Sequence, residues 1–259
     1  MAAELKSTSE GRTMVLTISN PELRNALGPE IYAAGVEALN AAERNADIRS
    51  VVITGEGATF CAGGNLQRLI ANRERPPAVQ AESVEALHSW IEAIRTFPKP
   101  VIAAVEGAAA GAGFSLALAC DFIVAADNAV FVMAYTTVGL SPDAGATWSL
   151  ARSMPRQLAS ELVMLAERVG SARLAQMGIV NRVTPAGGAL AEALALARRL
   201  DERAPNALAS VKELLSDAPA NTLDAQLAAE RDHFVRNLHH PNAGIGIAAF
   251  LGKKPARYE

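Results

Sequence analysis

Apolar residues follow two rhythms along this chain. Short continuous runs at 14–18, 51–54, Val101–Val105, 122–125 and Val130–Val132, bounded by Gly, Pro or charged residues, predict short buried strands. Between the first two, Ile31, Val36 and Leu39 recur at helical spacing, and Pro29 suits a first turn, so a helix is predicted over 28–44. A second helix carries Val84, Leu87, Ile91 and Ile94, and Phe97-Pro98-Lys99-Pro100 stops it before the next strand. Residues 114–120 are apolar on nearly every side, which predicts a helix buried all round.

The connections are informative too. Residues 55–64 are glycine-punctuated and lead into an apolar stretch at 66–71, a loop feeding a helix N-terminus. Residues 68–80 are rich in charge and proline (Arg73, Arg75, Pro76, Pro77), which predicts a mobile surface loop. From 155 to 254 helical patterns dominate, with amphipathic helices at 189–203, 206–215 and 222–238 broken by Ala204-Pro205 and Asp217-Ala218-Pro219. No repeat of 20 to 50 residues is visible.

Composition narrows the class. A chain of 259 residues that is 50% hydrophobic can bury one large core, and a net charge of −3 gives no basic field for nucleic acid. Basic and aromatic residues do not cluster as a single-strand binder requires. Cys61 and Cys120, the only cysteines, lie among small or apolar neighbours and suit reduced thiols better than a disulfide. The longest apolar runs fall short of a membrane span, and the polar start has no apolar signal core, so a cytoplasmic protein without membrane or nucleic-acid partner is expected.

Two loops carry candidate chemistry: Phe60-Cys61-Ala62-Gly63-Gly64-Asn65-Leu66 and Gly107-Ala108-Ala109-Ala110-Gly111-Ala112-Gly113. Each follows an apolar strand and precedes a helix, an arrangement that aims unpaired backbone N–H groups into a cleft where an oxygen gains negative charge. Small residues also permit tight turns, and either loop alone is weak evidence. Neither contains the Gly-Lys-Ser/Thr of a phosphate loop, and Gly111-x-Gly113 lacks the third glycine of a dinucleotide fingerprint.

Together with Asn20-Pro21-Glu22-Leu23-Arg24-Asn25-Ala26-Leu27, the stretch 99–121 and the stretch 138–147, these motifs occur in the order and spacing of the crotonase superfamily, which the chain resembles from its first strand to its end. The resemblance implies an α/β fold: a crotonase-type spiral of ββα units over 1–195, then a helical trimerisation region over 196–259. It implies an acyl-CoA thioester as substrate, no cofactor beyond the coenzyme A that the substrate carries, and a homotrimer or dimer of trimers. Position by position, Gly64 and Ala112 match the oxyanion-hole donors. Arg24, Ala62 and Leu66 lie along the coenzyme A arm, and Gln67 stands where hydratases often have lysine. Phe250 and Lys253 match an aromatic and a lysine that reach a neighbouring subunit's coenzyme A.

Typical hydratases of the superfamily use two glutamates; here Ser115 and Tyr135 stand at those positions. Asp143, in Leu140-Ser141-Pro142-Asp143-Ala144-Gly145, remains as a carboxylate facing the acyl group, and the motif resembles the ring-epoxide and enoyl-CoA isomerase branch of phenylacetate catabolism. Pro-Asp-Ala-Gly is also good turn chemistry. One base suffices for isomerisation, which ranks it above hydration. His88, Tyr135 and Asp143 also resemble the histidine, tryptophan and aspartate of aryl-CoA dehalogenases, with tyrosine in place of tryptophan, which leaves a hydrolase as an alternative. A catalytically silent acyl-CoA-binding subunit is another. In a buried helix, Ser115 is expected to bond back to the main chain, and Tyr135 to pack in the core or donate a hydrogen bond.

Overall fold

The computed structural model describes residues 3–258. In chain order its elements are β1 (Glu4–Glu10), β2 (Thr13–Ser19), α1 (Pro29–Arg44), β3 (Ser50–Gly55), α2 (Leu66–Arg73), α3 (Pro77–Thr96), β4 (Val101–Val105), β5 (Ala108–Ala110), α4 (Ala112–Ala119), β6 (Phe122–Ala126) and β7 (Val130–Val132). Then follow α5 (Ala146–Ser153), α6 (Arg156–Ser160), β8 (Val169–Gly170), α7 (Ser171–Gln176), β9 (Arg182–Thr184), α8 (Ala189–Asp201), α9 (Pro205–Asp217), α10 (Leu223–Leu238) and α11 (Pro241–Leu251).

Six strands form one sheet in the order β1-β2-β3-β4-β6-β9, and three form a second in the order β5-β7-β8. Apart from the β1–β2 hairpin the large sheet is parallel. The chain visits the two sheets alternately. After β4 it enters the small sheet as β5 and then forms α4; after β6 it enters it again as β7. After β3 it touches the small sheet for a single residue, where Cys61 bridges Ala109, before α2 begins. Three successive strand, strand, helix coils therefore make the spiral.

Alternation within the parallel strands divides the interior. Val15, Val52, Ile102, Ala104 and Val124 point to one face, where Ala189, Ala193, Leu196 and Ala197 of α8 cover them. Their sequence neighbours Leu16, Val51, Ile53, Ala103 and Ile123 point to the other, into the larger core with α1, α3 and α4. Every residue of α4 is buried, as its lack of a polar face requires. The boundary expected between 195 and 196 falls inside α8, which closes the sheet; α9 to α11 follow it.

The segment 68–80 is not a loop. It completes α2 and opens α3, with only 74–76 between them. Asn65 caps α2, its side-chain oxygen accepting from the Gln67 and Arg68 amides at 3.0 and 3.2 Å, and Pro77 takes the first position of α3. The charges and prolines that suggested mobility belong to exposed helix faces and to a helix start. β1 went unpredicted because it is an edge strand with almost every side chain exposed, so its sequence has no apolar alternation. β5 is three alanines, held as a strand by β7 and by Cys61.

Candidate active site

The two glycine loops lie side by side. Cys61 N–H donates to Ala108 O at 3.0 Å, and Ala110 N–H donates to Cys61 O at 2.9 Å. Gly63 has φ +90, and a Cβ there would sit 2.6 Å from Ala110 O and 3.3 Å from Ala112 N. Gly113 is as tight, since a Cβ on it would meet Cys61 O at 2.4 Å. At both positions glycine is needed because the two backbones touch.

The motif at 20–27 clasps the first loop from outside. Leu27 N–H donates to Gly63 O at 2.8 Å and Ala62 N–H to Arg24 O at 3.0 Å, with Arg24 and Asn25 in the left-handed region. The buried Asn25 amide holds Glu56 O and Thr59 O at 3.0 and 2.7 Å. The motif works through its main chain and this asparagine.

Two of the donors these bonds leave over belong to cleft-lining residues. Among the described residues, the amides of Gly64 and Ala112 have no hydrogen-bond partner, and both residues line a cleft of about 670 Å³. Ala112 is the first residue of α4, so its N–H has no intrahelical acceptor. A pair of fixed backbone donors facing one cleft suits an oxygen on which charge develops.

Asp143 lines the same cleft. Tyr135 Oη donates to its Oδ1 at 2.6 Å, and Tyr135 Oη lies 3.1 Å from Ser115 Oγ, which donates to Gly111 O at 3.2 Å. Burial, and after it the Asp143 carboxylate, push the Tyr135 phenol far above its ordinary 10.0, so it stays a neutral donor. Ser115 and Tyr135 thus form a relay of contacts ending on Asp143. Asp143 does sit in a turn: Ala144 and Gly145 follow at φ 52 and 73, and Ala146 N–H returns to Asp143 O at 3.2 Å. A left-handed alanine costs about 1 kcal/mol and needs support. His88 supplies it, accepting the Ala144 N–H on Nε2 at 3.3 Å.

Of the residues singled out in the sequence, Ala62, Gly64, Leu66, His88, Ala112, Tyr135 and Asp143 line the cleft, and Ser115 joins them through Tyr135. Arg24, Gln67, Phe250 and Lys253 do not line it; all four are exposed, Phe250 at 83%. Sequence reasoning missed Tyr32, Arg68 and Gln80. The first was hidden in a helix read only for its aliphatic residues, the other two in the segment taken for a loop.

Among the described residues no helix is long and apolar enough to cross a membrane. The Cys61 thiol, fully buried, is pushed up to about 12 by burial and is an inert part of the loop pairing.

A spiral of ββα coils with its cleft between consecutive loops and a helical C-terminal region defines a crotonase fold. The sequence profile of the enoyl-CoA hydratase/isomerase family matches residues 8–259, and the chain belongs to that family of acyl-CoA enzymes. It is 35% identical over 250 residues to 1,2-epoxyphenylacetyl-CoA isomerase of Escherichia coli (strain K12), covering 96% of this chain and 95% of that one. It is 36% identical over 252 residues to 2,3-dehydroadipyl-CoA hydratase of the same strain, covering 97% of each. A crystal structure of an enoyl-CoA hydratase from Polaromonas sp. JS666 superposes with a TM-score of 0.98 at 72% identity, over 99% of this chain and 100% of that one.

Proposed function

We propose that the protein isomerises an acyl-CoA thioester, moving a double bond or rearranging a ring, with Asp143 as the proton shuttle. The Asp143 carboxylate removes a proton from a carbon conjugated to the thioester, and the electron pair moves to the thioester oxygen. The Gly64 and Ala112 amides hold that oxygen as the enolate forms. The carboxylic acid then returns the proton at another carbon, so nothing is gained or lost and no cofactor is required.

One observation carries the choice of isomerisation over hydration: of Ser115 and Tyr135, which match the two glutamate positions, Ser115 donates to Gly111 O and Tyr135 to Asp143, leaving a single carboxylate among the three. The relatives' names divide between isomerase and hydratase, so the weight falls on this geometry. His88 has its Nε2 committed to the turn, which argues against a histidine base for hydrolysis. Assembly into a trimer or dimer of trimers belongs to the same reading. It is supported by α9 to α11, where Leu223, Leu227, Phe234, Phe250 and Leu251 are exposed and the helices are joined instead by Asn206, Ser210, Asn237 and Asn242.

The test assays 2-enoyl, 3-enoyl, ring-epoxide and halobenzoyl thioesters with wild type and Asp143→Asn. Isomerase turnover that falls about a hundred- to ten-thousandfold in the variant, with coenzyme A affinity unchanged, is the expected result. Rapid hydration of the 2-enoyl substrate without dependence on Asp143 overturns the assignment. Absence of turnover on every thioester, with binding intact, favours the silent subunit.

A further inference from the structure

The cleft contains a second phenol that the proposed chemistry does not use. Tyr32 projects from α1 and lines the cleft with Asp143, His88 and Gly64. It is only 6% exposed. Its ring is fixed against the fully buried Trp90, centroids 6.5 Å apart, and Trp90 fills the space over Gly35, where a Cβ would lie 2.2 Å from Nε1. Burial first, then the Asp143 carboxylate and Cys61, raise the phenol above its ordinary 10.0 and keep it protonated.

Among the described residues that hydroxyl has no hydrogen-bond partner. The two hydroxyls on the opposite wall are occupied: Tyr135 by Asp143, and Thr137 by Ala134 O at 2.5 Å. A thioester oxygen held by two backbone amides has no need of a third donor. A hydrocarbon acyl group filling the cleft strips water from the Tyr32 hydroxyl and offers nothing in return, an unfavourable exchange. An acyl group with an oxygen function of its own restores the bond.

We infer that Tyr32 is a specificity-determining residue whose hydroxyl donates to an oxygen carried by the acyl group itself, so that the cleft prefers oxygen-bearing acyl-CoA thioesters to plain hydrocarbon ones. This rests on the acyl-CoA reading of the cleft, but not on which reaction follows.

The experiment measures dissociation constants by calorimetry, so no turnover is needed. The ligands are phenylacetyl-CoA with its 2-, 3- and 4-hydroxy ring forms, and hexanoyl-CoA with its 3- to 6-hydroxy forms, against wild type and Tyr32→Phe. At least one hydroxylated ligand binds wild type about three- to tenfold tighter than its parent, and the Phe variant loses that preference. If no hydroxylated form is preferred, or the preference survives in Tyr32→Phe, the inference is overturned. Asp143→Asn run beside it separates the two ideas: its turnover tests the proton shuttle, and the affinity ratio tests Tyr32.

Discussion

Gly63→Ala is the sharpest probe of the paired loops, because one methyl group is driven between the backbones that hold the two free amides. An L residue at the φ of +90 found there costs about 1–2 kcal/mol. The new Cβ starts 2.6 Å from Ala110 O, roughly 0.7 Å inside the closest ordinary approach of about 3.3 Å. Ala110 cannot retreat alone, since its N–H is bonded to Cys61 O at 2.9 Å and the next amide, Gly111, to Val132 O at 2.9 Å. Relief must come from spreading the loops, which pulls the Gly64 and Ala112 amides out of register. Misplacement on the order of 1 Å costs about a hundredfold, and loss of one oxyanion donor about a hundred- to a thousandfold.

Gly57→Ala is the control. It has φ +73 but nothing within 4 Å of the added Cβ, so it isolates the backbone strain. Calorimetric melting and kcat/KM on the best thioester are measured for both. Gly57→Ala is expected to lower Tm by several degrees and leave kcat/KM near wild type; Gly63→Ala is expected to lose at least a hundredfold in kcat/KM. If Gly63→Ala stays within about threefold of wild type, the loop pairing does not set the donor geometry and the reasoning fails.

Tyr135→Phe removes the 2.6 Å bond to Asp143 and leaves the ring packing in place, so kcat should fall about ten- to a hundredfold with little change in KM; steady-state kinetics giving a KM effect alone would count against the relay. Lys212 on α9 donates to Asp121 Oδ2 at 2.8 Å and Ile94 O at 3.0 Å, and Lys212→Met should cost about 1–3 kcal/mol in urea unfolding, since Asp121 loses its cation and keeps only the Val101 N–H. Burial pushes the folded Cys61 thiol up from an ordinary 9.0 to about 12. Above pH 9.0 the unfolded chain releases that proton first, so this stabilisation is complete below pH 9.0 and is lost as pH rises toward about 12. Urea unfolding at pH 8, 9 and 10 should show Cys61→Ala with the shallower alkaline decline, by about 1 kcal/mol between pH 9 and 10.

The strands of the parallel sheet, the buried helix and the two loops were legible because continuous burial and glycine punctuation are local signals. The relay was not. Ser115, Tyr135 and Asp143 stand 20 and 8 residues apart, on a helix, before a turn and in a turn, and only the spiral brings them into contact. The same is true of Tyr32: as one aromatic position on an amphipathic helix it carried no mark of a cleft, and its free hydroxyl is defined by what α3 and the loops place around it. The segment 68–80 misled for the opposite reason. Its charges are what an exposed helix face carries, and local composition does not separate that from a loop without the Asn65 cap.

The bridge between Cys61 and Ala109 has a wider consequence. Because the two amides belong to consecutive coils joined by main-chain pairing, their placement is held by the backbone and not by a side chain in the cleft. Side chains lining the cleft can then be exchanged by substitution without moving those amides. Such a scaffold can vary the wall of its cleft while its two amides stay in place.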